Sequence, residues 1–360
     1  MLKVPLAKAN MNTAYKPMNH TSNITGQIVI NSKMRTITQI LSDTTISMRP
    51  LPFKVLVYLL EHQGQCISRD ELFEECWQGV LVTDQSLTNT ISYIVKDPDS
   101  NHCAIIDSVM DIDYAAGQIT FDHADRLIAE ITDRGLTLDW IIETHVHADH
   151  LSAAPYIQSK LGGKIGIGDH IQTVQETFGI FYNEGSEFQR DGSQFDQLFK
   201  DGDTYQIGNM QGFAIYAPGH TPACMAHVIG NATFTGDTLF MPDSGSARTD
   251  FPGGDSGVLY DSIQKILAMP DDMRLFMCHD YGGEGRGVAW ETTVAEQKAK
   301  NVDFGGDTTR EEFVALRDKL NSGLAAPRLI IPSLQVNMRA GHLPEDKDGN
   351  LMLKVPVNKL

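Results

Sequence analysis

The feature that most constrains this chain is a cluster of metal-binding side chains directly after an apolar segment. The segment reads LDWIIET, which predicts a buried strand, and it runs into the residues HVHADH. His145 and His147 are two positions apart, so they share one side of an extended segment, while Asp149 and His150 follow at a neighbouring point. Imidazole and carboxylate ligands suit Zn, Fe or Mn better than Mg or Ca. This segment therefore predicts a transition-metal site at a strand end, where α/β proteins commonly build their sites.

Three further ligand-type residues follow apolar runs later in the chain. The run GFAIYAP leads to His220, the run ATFTG leads to Asp237, and the run RLFMC leads to His279. Because each residue follows a predicted strand, all of them can converge on one rim of a sheet sandwich. The sequence thus predicts a site whose members are far apart along the chain.

The chain organisation changes once along its length. A length of 360 residues allows two domains, or one large domain with an appendage. Residues 1–25 lack periodicity and predict a flexible tail, residues 26–90 predict a β-rich piece followed by small helices, and residues 91–360 predict an α/β domain. In that last part TISYIVKD and CAIID predict a hairpin, and ADRLIAEITDRG predicts an amphipathic helix closed by Gly135.

Net charge and cysteine content limit the partners and the compartment. A formal charge of −17 opposes non-specific binding to nucleic acid or to an anionic membrane. No apolar run approaches the ~20 residues that a membrane-spanning helix needs, and no secretory signal is visible. The five cysteines form no CxxC pair, so we expect reduced thiols in a cytoplasmic protein.

The HxHxDH motif, followed in order by GHT, GD and HD, resembles the metallo-β-lactamase superfamily over residues ~88–360. The resemblance implies an αββα sandwich within the α/β class. Superfamily hydrolases can hold two metals. By resemblance, one metal would bind His145, His147 and His220, the other would bind Asp149, His150 and His279, and Asp237 would bridge them.

Finer motifs resemble one branch of that superfamily. The segments TGDTLFMPDSGSARTDFPGGD, MCHDY and PSLQVNMRAGHLP are similar to the persulfide dioxygenases, also called sulfur dioxygenases. This resemblance implies a single Fe(II) held by His145, His220 and Asp237, with Zn(II) as the alternative metal. Two histidines and one carboxylate leave positions open on iron. The implied partners are a glutathione-type persulfide and O2, giving sulfite and the free thiol; a homo-oligomer is compatible with this interpretation.

Five residues near these motifs are candidates for catalysis or substrate binding. Arg248 can hold an anionic substrate together with Asp250, or the two can form an ion pair that braces a loop. Tyr281 can hydrogen-bond substrate or oxygen, or it can simply pack. Asp149 can orient a ligand, or act as a base on metal-bound water in a hydrolase. Arg339, in the NMR motif, is a further substrate-binding candidate.

The front segment, Ile46–Ser92, resembles the winged-helix DNA-binding domain of OmpR/ToxR-type regulators. In that family a basic third helix is followed by a β-hairpin wing. Here YIVKDPDSN follows instead, so the segment is an incomplete winged helix. Residues 26–92 carry five basic and seven acidic side chains, a net −2 that is poor for neutralising phosphates. We therefore do not expect DNA binding.

Three functions remain open at this point. The first is a mononuclear iron persulfide dioxygenase, and the second is a zinc-dependent hydrolase of a thioester, lactone or β-lactam. The ligand set alone does not separate these two, because both retain all seven residues. The motifs around Arg248 and Asn337 favour the dioxygenase. The third is a metal- or sulfur-sensing transcription regulator, against which the missing wing argues.

Overall fold

The computed structural model describes residues 22–25, 28–31, 36–39, 44–47, 57, 58, 62, 90–281 and 286–359. The chain divides into two compact units, Met1–Val82 and Thr83–Leu360. The division lies slightly before the boundary between residues 90 and 91 that the sequence predicts. Each unit is described by itself.

The first unit contains a four-stranded antiparallel sheet in the order β1-β2-β3-β4. Its strands are β1 (Ser22–Thr25), β2 (Ile28–Asn31), β3 (Thr36–Gln39) and β4 (Thr44–Ser47). The sheet thus begins inside the segment 1–25 that the sequence predicts as a tail. The small helices predicted within residues 26–90 lie almost wholly outside the described residues.

The second unit begins with a mostly parallel five-stranded sheet in the order β11-β10-β9-β6-β5. Its strands are β5 (Tyr93–Lys96), β6 (His102–Ile106), β9 (Thr137–Ile142), β10 (Lys164–Gly168) and β11 (Gln197–Phe199). β5 pairs antiparallel with β6, as the predicted hairpin requires, and the other neighbours are parallel. A small separate hairpin is formed by β7 (Asp111–Asp113) and β8 (Gln118–Thr120).

A six-stranded sheet follows in the order β12-β13-β14-β15-β16-β17. Its strands are β12 (Thr204–Ile207), β13 (Met210–Tyr216), β14 (Met225–Ile229), β15 (Ala232–Phe234), β16 (Arg274–Phe276) and β17 (Glu291–Thr293). Only the β15–β16 pair is parallel; the others are antiparallel. The apolar runs that precede the candidate ligands therefore do form strands.

Seven helices are present in the described part of the second unit. They are α1 (Asp122–Asp133), α2 (Ala154–Leu161), α3 (Ile171–Phe181), α4 (Ser256–Leu267), α5 (Val294–Lys300), α6 (Arg310–Asn321) and α7 (Ile330–Asn337). Side-chain caps start several of them: Asp255 accepts from the N–H of Val258, and Thr309 and Glu312 form a capping box at α6.

Three apolar layers show how the elements stack. Successive residues of one strand face opposite layers, so Ile141 of β9 packs with α1, α2, α3 and α7, while Ile142 packs between the two sheets. On the far side, Leu259 of α4 and Phe313 of α6 pack on the second sheet, against Leu275 of β16. The order helix, sheet, sheet, helix confirms the predicted αββα sandwich.

Two further expectations concern the whole described part of the chain. Among its helices, none is both long enough and apolar enough to span a bilayer. Cys103, Cys224 and Cys278 are buried there as free thiols.

Candidate metal centre

The candidate ligands follow strand ends of both sheets. His145 comes shortly after β9, His220 after β13, Asp237 after β15 and His279 after β16, and all four are buried. The loops that follow these four strands thus bring the candidate ligands close together, although the strands belong to two different sheets. The structure brings together residues that lie up to 134 positions apart in sequence, from 145 to 279.

His145, His220 and Asp237 form the most compact candidate for a metal site. Their donor atoms all lie within 4.8 Å of one another. Nε2 of His145 and Nε2 of His220 each lie 3.8 Å from Oδ2 of Asp237. That separation is too long for a hydrogen bond, but two donors about 2.1 Å from one ion can lie up to about 4.2 Å apart. Nε2 of His145 is buried without a hydrogen-bond partner, which an ion would provide.

Hydrogen bonds on the other ring nitrogens orient these two imidazoles. The Oγ1 of Thr144 donates to Oδ2 of Asp107 at 2.9 Å, so it accepts from Nδ1 of His145 at 3.0 Å. Nδ1 of His220 donates to the backbone carbonyl of Arg248 at 2.7 Å. Both bonds keep the proton on Nδ1 and leave the lone pair of Nε2 for a metal.

Electrostatics favour neutral imidazoles at the two ligand positions. Burial, reinforced by the neighbouring rings of His147 and His220, holds the pKa of His145 well below its usual value. Burial also lowers the pKa of His220. A neutral imidazole keeps the lone pair that a metal needs, so the three residues fit a divalent transition metal.

His147 is held from behind by two buried carboxylates. Its Nε2 lies 3.0 Å from Oδ1 of Asp107 and 3.4 Å from Oε2 of Glu143. Burial acts to lower the pKa of His147, but the two carboxylates outweigh it and hold that pKa well above its usual value. Neither carboxylate is among the site residues that the sequence predicts. Asp107 was detectable, because it follows the apolar run CAII just as Asp237 follows ATFTG.

The remaining predicted ligands lie beside the triad. Nε2 of His279 lies 3.3 Å from Oδ1 of Asp237 and 3.6 Å from Oδ2 of Asp149. Oδ2 of Asp149 also accepts from Oγ1 of Thr90 at 3.1 Å and lies 3.4 Å from Nδ1 of His150. The donor atoms of His147, Asp149 and His150 form a second group within 4.8 Å. All seven predicted ligands are therefore in adjoining groups.

The NMR motif contributes a brace to the ligand loop. The Nδ2 of Asn337 donates to the carbonyl oxygens of His147 and His150 at 2.8 and 2.7 Å. Its Oδ1 accepts from the N–H of Ser152 at 2.7 Å. One buried carboxamide thus fixes the backbone that carries the HxHxDH residues.

A cavity of about 660 Å³ opens onto the site. Its floor includes Asp149, His220, Asp237 and His279. The ring of half-exposed Tyr281 lies 5.9 Å from that of His279, and Tyr281 lines the cavity. The other wall is formed by residues of α6 and of the segment that follows it, namely Leu320, Leu324, Pro327, Arg328 and Leu329.

Of the two arginines predicted to bind substrate, Arg248 lines the cavity and Arg339 does not. Nε and Nη2 of Arg248 bind the carboxylate of Asp250, both at 2.6 Å, and Nη1 donates to the carbonyl of Ala325 at 2.8 Å. This geometry favours the loop-bracing interpretation of the Arg248–Asp250 pair. Nη2 of Arg339 lies 2.9 Å from Oε2 of Glu184. Arg339 is not among the residues that line the cavity, so its placement does not support a role in substrate binding.

The family is decided by a comparison with family models. A model described as "Metallo-beta-lactamase superfamily" matches residues 87–279, more than half of the chain. The chain belongs to the metallo-beta-lactamase superfamily. This confirms the predicted family, and the HxHxDH, GHT and GD motifs and His279 all lie within the match.

Individual members of the superfamily are similar over most of the chain. A probable metallo-hydrolase of Burkholderia pseudomallei is 48% identical over 76% of this chain and 97% of its own length. A beta-lactamase hydrolase-like protein of Agrobacterium fabrum is 47% identical over 76% of this chain, which spans 63% of that relative. The mitochondrial persulfide dioxygenase ETHE1 of Homo sapiens is 30% identical over 70% of this chain and 84% of its own length. The crystal structure of ETHE1 from Myxococcus xanthus superposes with a TM-score of 0.57, at 27% identity, over 71% of this chain and 96% of that one.

A second family model overlaps the superfamily match. The model described as "Transcriptional regulatory protein, C terminal" matches residues 43–112. Its last part contains β5 and β6, which are strands of the five-stranded metallo-beta-lactamase sheet. The residues that follow the third predicted helix therefore belong to this sheet.

Proposed function

We propose that this protein is an iron-dependent persulfide dioxygenase. The observation that supports it most directly is the triad of His145, His220 and Asp237, with both imidazole Nε2 atoms 3.8 Å from Oδ2 of the carboxylate. Two histidines and one carboxylate with open positions are the ligand set of non-haem Fe(II) oxygenases. The likeness to the persulfide dioxygenase of Homo sapiens supports the same activity.

The proposed reaction converts a thiol persulfide, O2 and water into the thiol, sulfite and two protons. The S–S bond breaks, the two sulfurs together lose four electrons, and O2 gains these four electrons. O2 supplies two of the three sulfite oxygens, and water supplies the third. Iron, when bound, would supply open positions for the persulfide sulfur and O2.

Residues of the chain then position the reactants. His145 and His220 present neutral donors, held by Thr144 and by the carbonyl of Arg248, and Asp237 adds one negative charge. The cavity brings a substrate to the floor beside His220 and Asp237. Tyr281, on the wall of the cavity, is the proposed hydrogen-bond donor to the substrate.

Zinc-dependent hydrolysis of a thioester, lactone or β-lactam is the second candidate. The group of His147, Asp149 and His150 favours it, because this group offers donors for a second metal. In that reaction Asp149 would act as a base on water. Against it, Oδ2 of Asp149 already accepts a hydrogen bond from Thr90. For it, Nδ1 of His147 and Nε2 of His150 are buried without hydrogen-bond partners among the described residues and remain as donors to an ion. The number of metal ions per chain therefore separates the two candidates.

DNA binding by the front unit has weaker support. The match to the regulatory family model favours it. Residues 26–92 carry more acidic than basic side chains, and the matched residues of β5 and β6 are strands of the other unit's sheet. We therefore propose no regulatory activity.

Metal content and product analysis test the proposal. The full chain is purified without oxygen and its metals are measured by elemental analysis. O2 uptake and sulfite release are then followed with glutathione persulfide, and thioester hydrolysis with a glutathione thioester. We expect one iron per chain and equal amounts of O2 consumed and sulfite formed, with no sulfite from zinc-loaded protein. Two zinc ions per chain, thioester hydrolysis and no O2 uptake would instead establish the hydrolase.

A further inference from the structure

Three arginines line the cavity, and two of them are each paired with a carboxylate of the protein. Arg248 uses Nε, Nη1 and Nη2 in its contacts with Asp250 and the carbonyl of Ala325. It also lies over the ring of Phe251, with Cζ 4.9 Å from the centroid. Its guanidinium is therefore occupied in bracing the cavity wall.

Arg317 is engaged in the same way but from a buried position. Its Nη1 donates to the carbonyl of Ser246 at 2.9 Å and lies 3.5 Å from Oδ2 of Asp303. Its Nε donates to Oδ1 of Asn321 at 3.2 Å. Arg317 thus connects α6 to the loop of Ser246 through Nε and Nη1, and its charge is paired with that of Asp303.

Arg328 differs from both. It lies in the segment between α6 and α7, exposed at the cavity wall between Pro327 and Leu329. It makes no hydrogen bond or ion pair with any residue that the structure describes. A guanidinium offers five N–H donors in a planar fork that matches a carboxylate, and here the whole fork faces solvent and cavity.

We propose that Arg328 binds a carboxylate of the thiol that carries the persulfide, and so selects an anionic peptide-like carrier such as glutathione. This inference rests on the proposed function, because the sulfur end of the same molecule would reach Asp237 and His220. The apolar side chains of Leu320 and Leu324, on the same wall, then contact the carrier between its two ends.

The negative charge of the chain and of the cavity floor makes Arg328 important for the binding of an anionic substrate. The chain has a formal charge of −17, and the cavity floor contributes Asp149 and Asp237. An anionic carrier is therefore repelled in general and needs a local cation to enter. Because Arg248 and Arg317 are neutralised by their own partners, Arg328 is the cation that remains among the described lining residues.

The affinity for S-methylglutathione, an unreactive analogue, measures this contact without any turnover. In titration calorimetry on the full-length iron protein, Arg328→Gln should weaken binding about tenfold, the loss expected for one charge-assisted contact. Arg328→Lys should recover part of the loss, because it keeps the charge but not the fork. The diethyl ester of the analogue should bind wild type and Arg328→Gln equally.

A matched control and a kinetic readout complete the experiment. Arg134→Gln removes an exposed arginine of the same size, paired with Glu130 away from the cavity, and should bind like wild type. With glutathione persulfide, Arg328→Gln should raise KM about tenfold and leave kcat unchanged. Equal affinity of Arg328→Gln and wild type for the acid, or an equal loss for the diester, would overturn the inference. Absence of O2 uptake in wild type, with the tenfold binding difference intact, would overturn the proposed function but not the carboxylate contact.

Discussion

Asp107 holds His147 through a 3.0 Å hydrogen bond between Oδ1 of the carboxylate and Nε2 of the ring. The same carboxylate accepts from the N–H of Thr144 at 2.7 Å and from its Oγ1 at 2.9 Å. Through Thr144 it also fixes the ring of His145. One buried side chain thus orients the first two histidines of the motif, although it follows a different strand, β6.

Replacing Asp107 with Asn should weaken metal binding without unfolding the protein. Asp107 has φ +53°, a left-handed conformation that Asn tolerates well, so the backbone can be retained. Loss of the charge and of one acceptor should lower metal affinity by about 10- to 100-fold, the usual cost of removing a partner of a ligand. Competition with a chelator measures this. Asp139→Asn, which affects a carboxylate paired with His102 away from the site, should bind metal like wild type.

Removing a ligand should have a larger effect than removing its partner. In His220→Ala the triad loses one of three donors, so we expect metal content at background and no turnover. Elemental analysis and sulfite assays measure both quantities. His102→Ala, which removes a partly exposed histidine, should retain full metal content. Full activity in His220→Ala would eliminate the assigned triad.

Gly219 positions His220 by a close backbone approach. Its φ is +130°, and a Cβ at this position would overlap the backbone of Leu259 in α4. Gly219→Ala should therefore lower the free energy of unfolding by about 1–3 kcal/mol and reduce metal retention, because the backbone must shift. Urea unfolding of the metal-free proteins measures the change in the free energy of unfolding. Gly323→Ala, where a Cβ meets nothing closer than 3.8 Å, is the matched control and should be within error of wild type.

His227 should make stability dependent on pH. Burial between the sheets lowers its pKa to about 4, and Nδ1 lies 3.1 Å from the hydroxyl of Tyr205. Because the folded pKa is below the unfolded value of about 6.5, the unfolded chain binds the extra proton first. The contribution of His227 to the free energy of unfolding is therefore fully present above pH 6.5 and is lost as the pH drops towards 4.

The variant His227→Gln isolates this contribution. Between pH 7 and pH 5 its loss of stability should be about 2 kcal/mol smaller than that of wild type, since a titration of one group contributes about 1.4 kcal/mol per pH unit. Urea unfolding curves at the two pH values measure the difference. Identical pH dependence in both proteins would show that the ring is not the titrating group.

Deleting residues 1–80 should leave catalysis largely intact. Every proposed ligand and cavity residue lies in the second unit, which begins at Thr83. The cut must precede Thr90, because its hydroxyl donates to Asp149. Sulfite production per iron should match the full chain, whereas insoluble protein would indicate that the front unit completes the core.

The ligands were predictable because their signal is local, whereas the long-range contacts of the arginines were not. His145, His220 and Asp237 each follow an apolar run, and alternation within a strand fixes which way such residues can point. Asp107 obeys the same rule, but its role depends on a hydrogen bond to a residue forty positions away. Asp250 lies two positions from Arg248, so that pair could be offered from sequence. The long-range partners of Arg248 and Arg339 are Ala325 and Glu184, which come near them only through folding. No spacing rule relates them.

The hairpin of β5 and β6 has a practical consequence for dividing this chain. Residues 87–112 belong to both family matches, yet their strands β5 and β6 pair within the five-stranded sheet of the second unit. A cut after residue 112 would remove the edge strand β5 and its neighbour β6 from that sheet. A cut before residue 87 would divide the stretch that matches the regulatory family model. Because the two matches share residues 87–112, no single cut leaves both matched stretches whole.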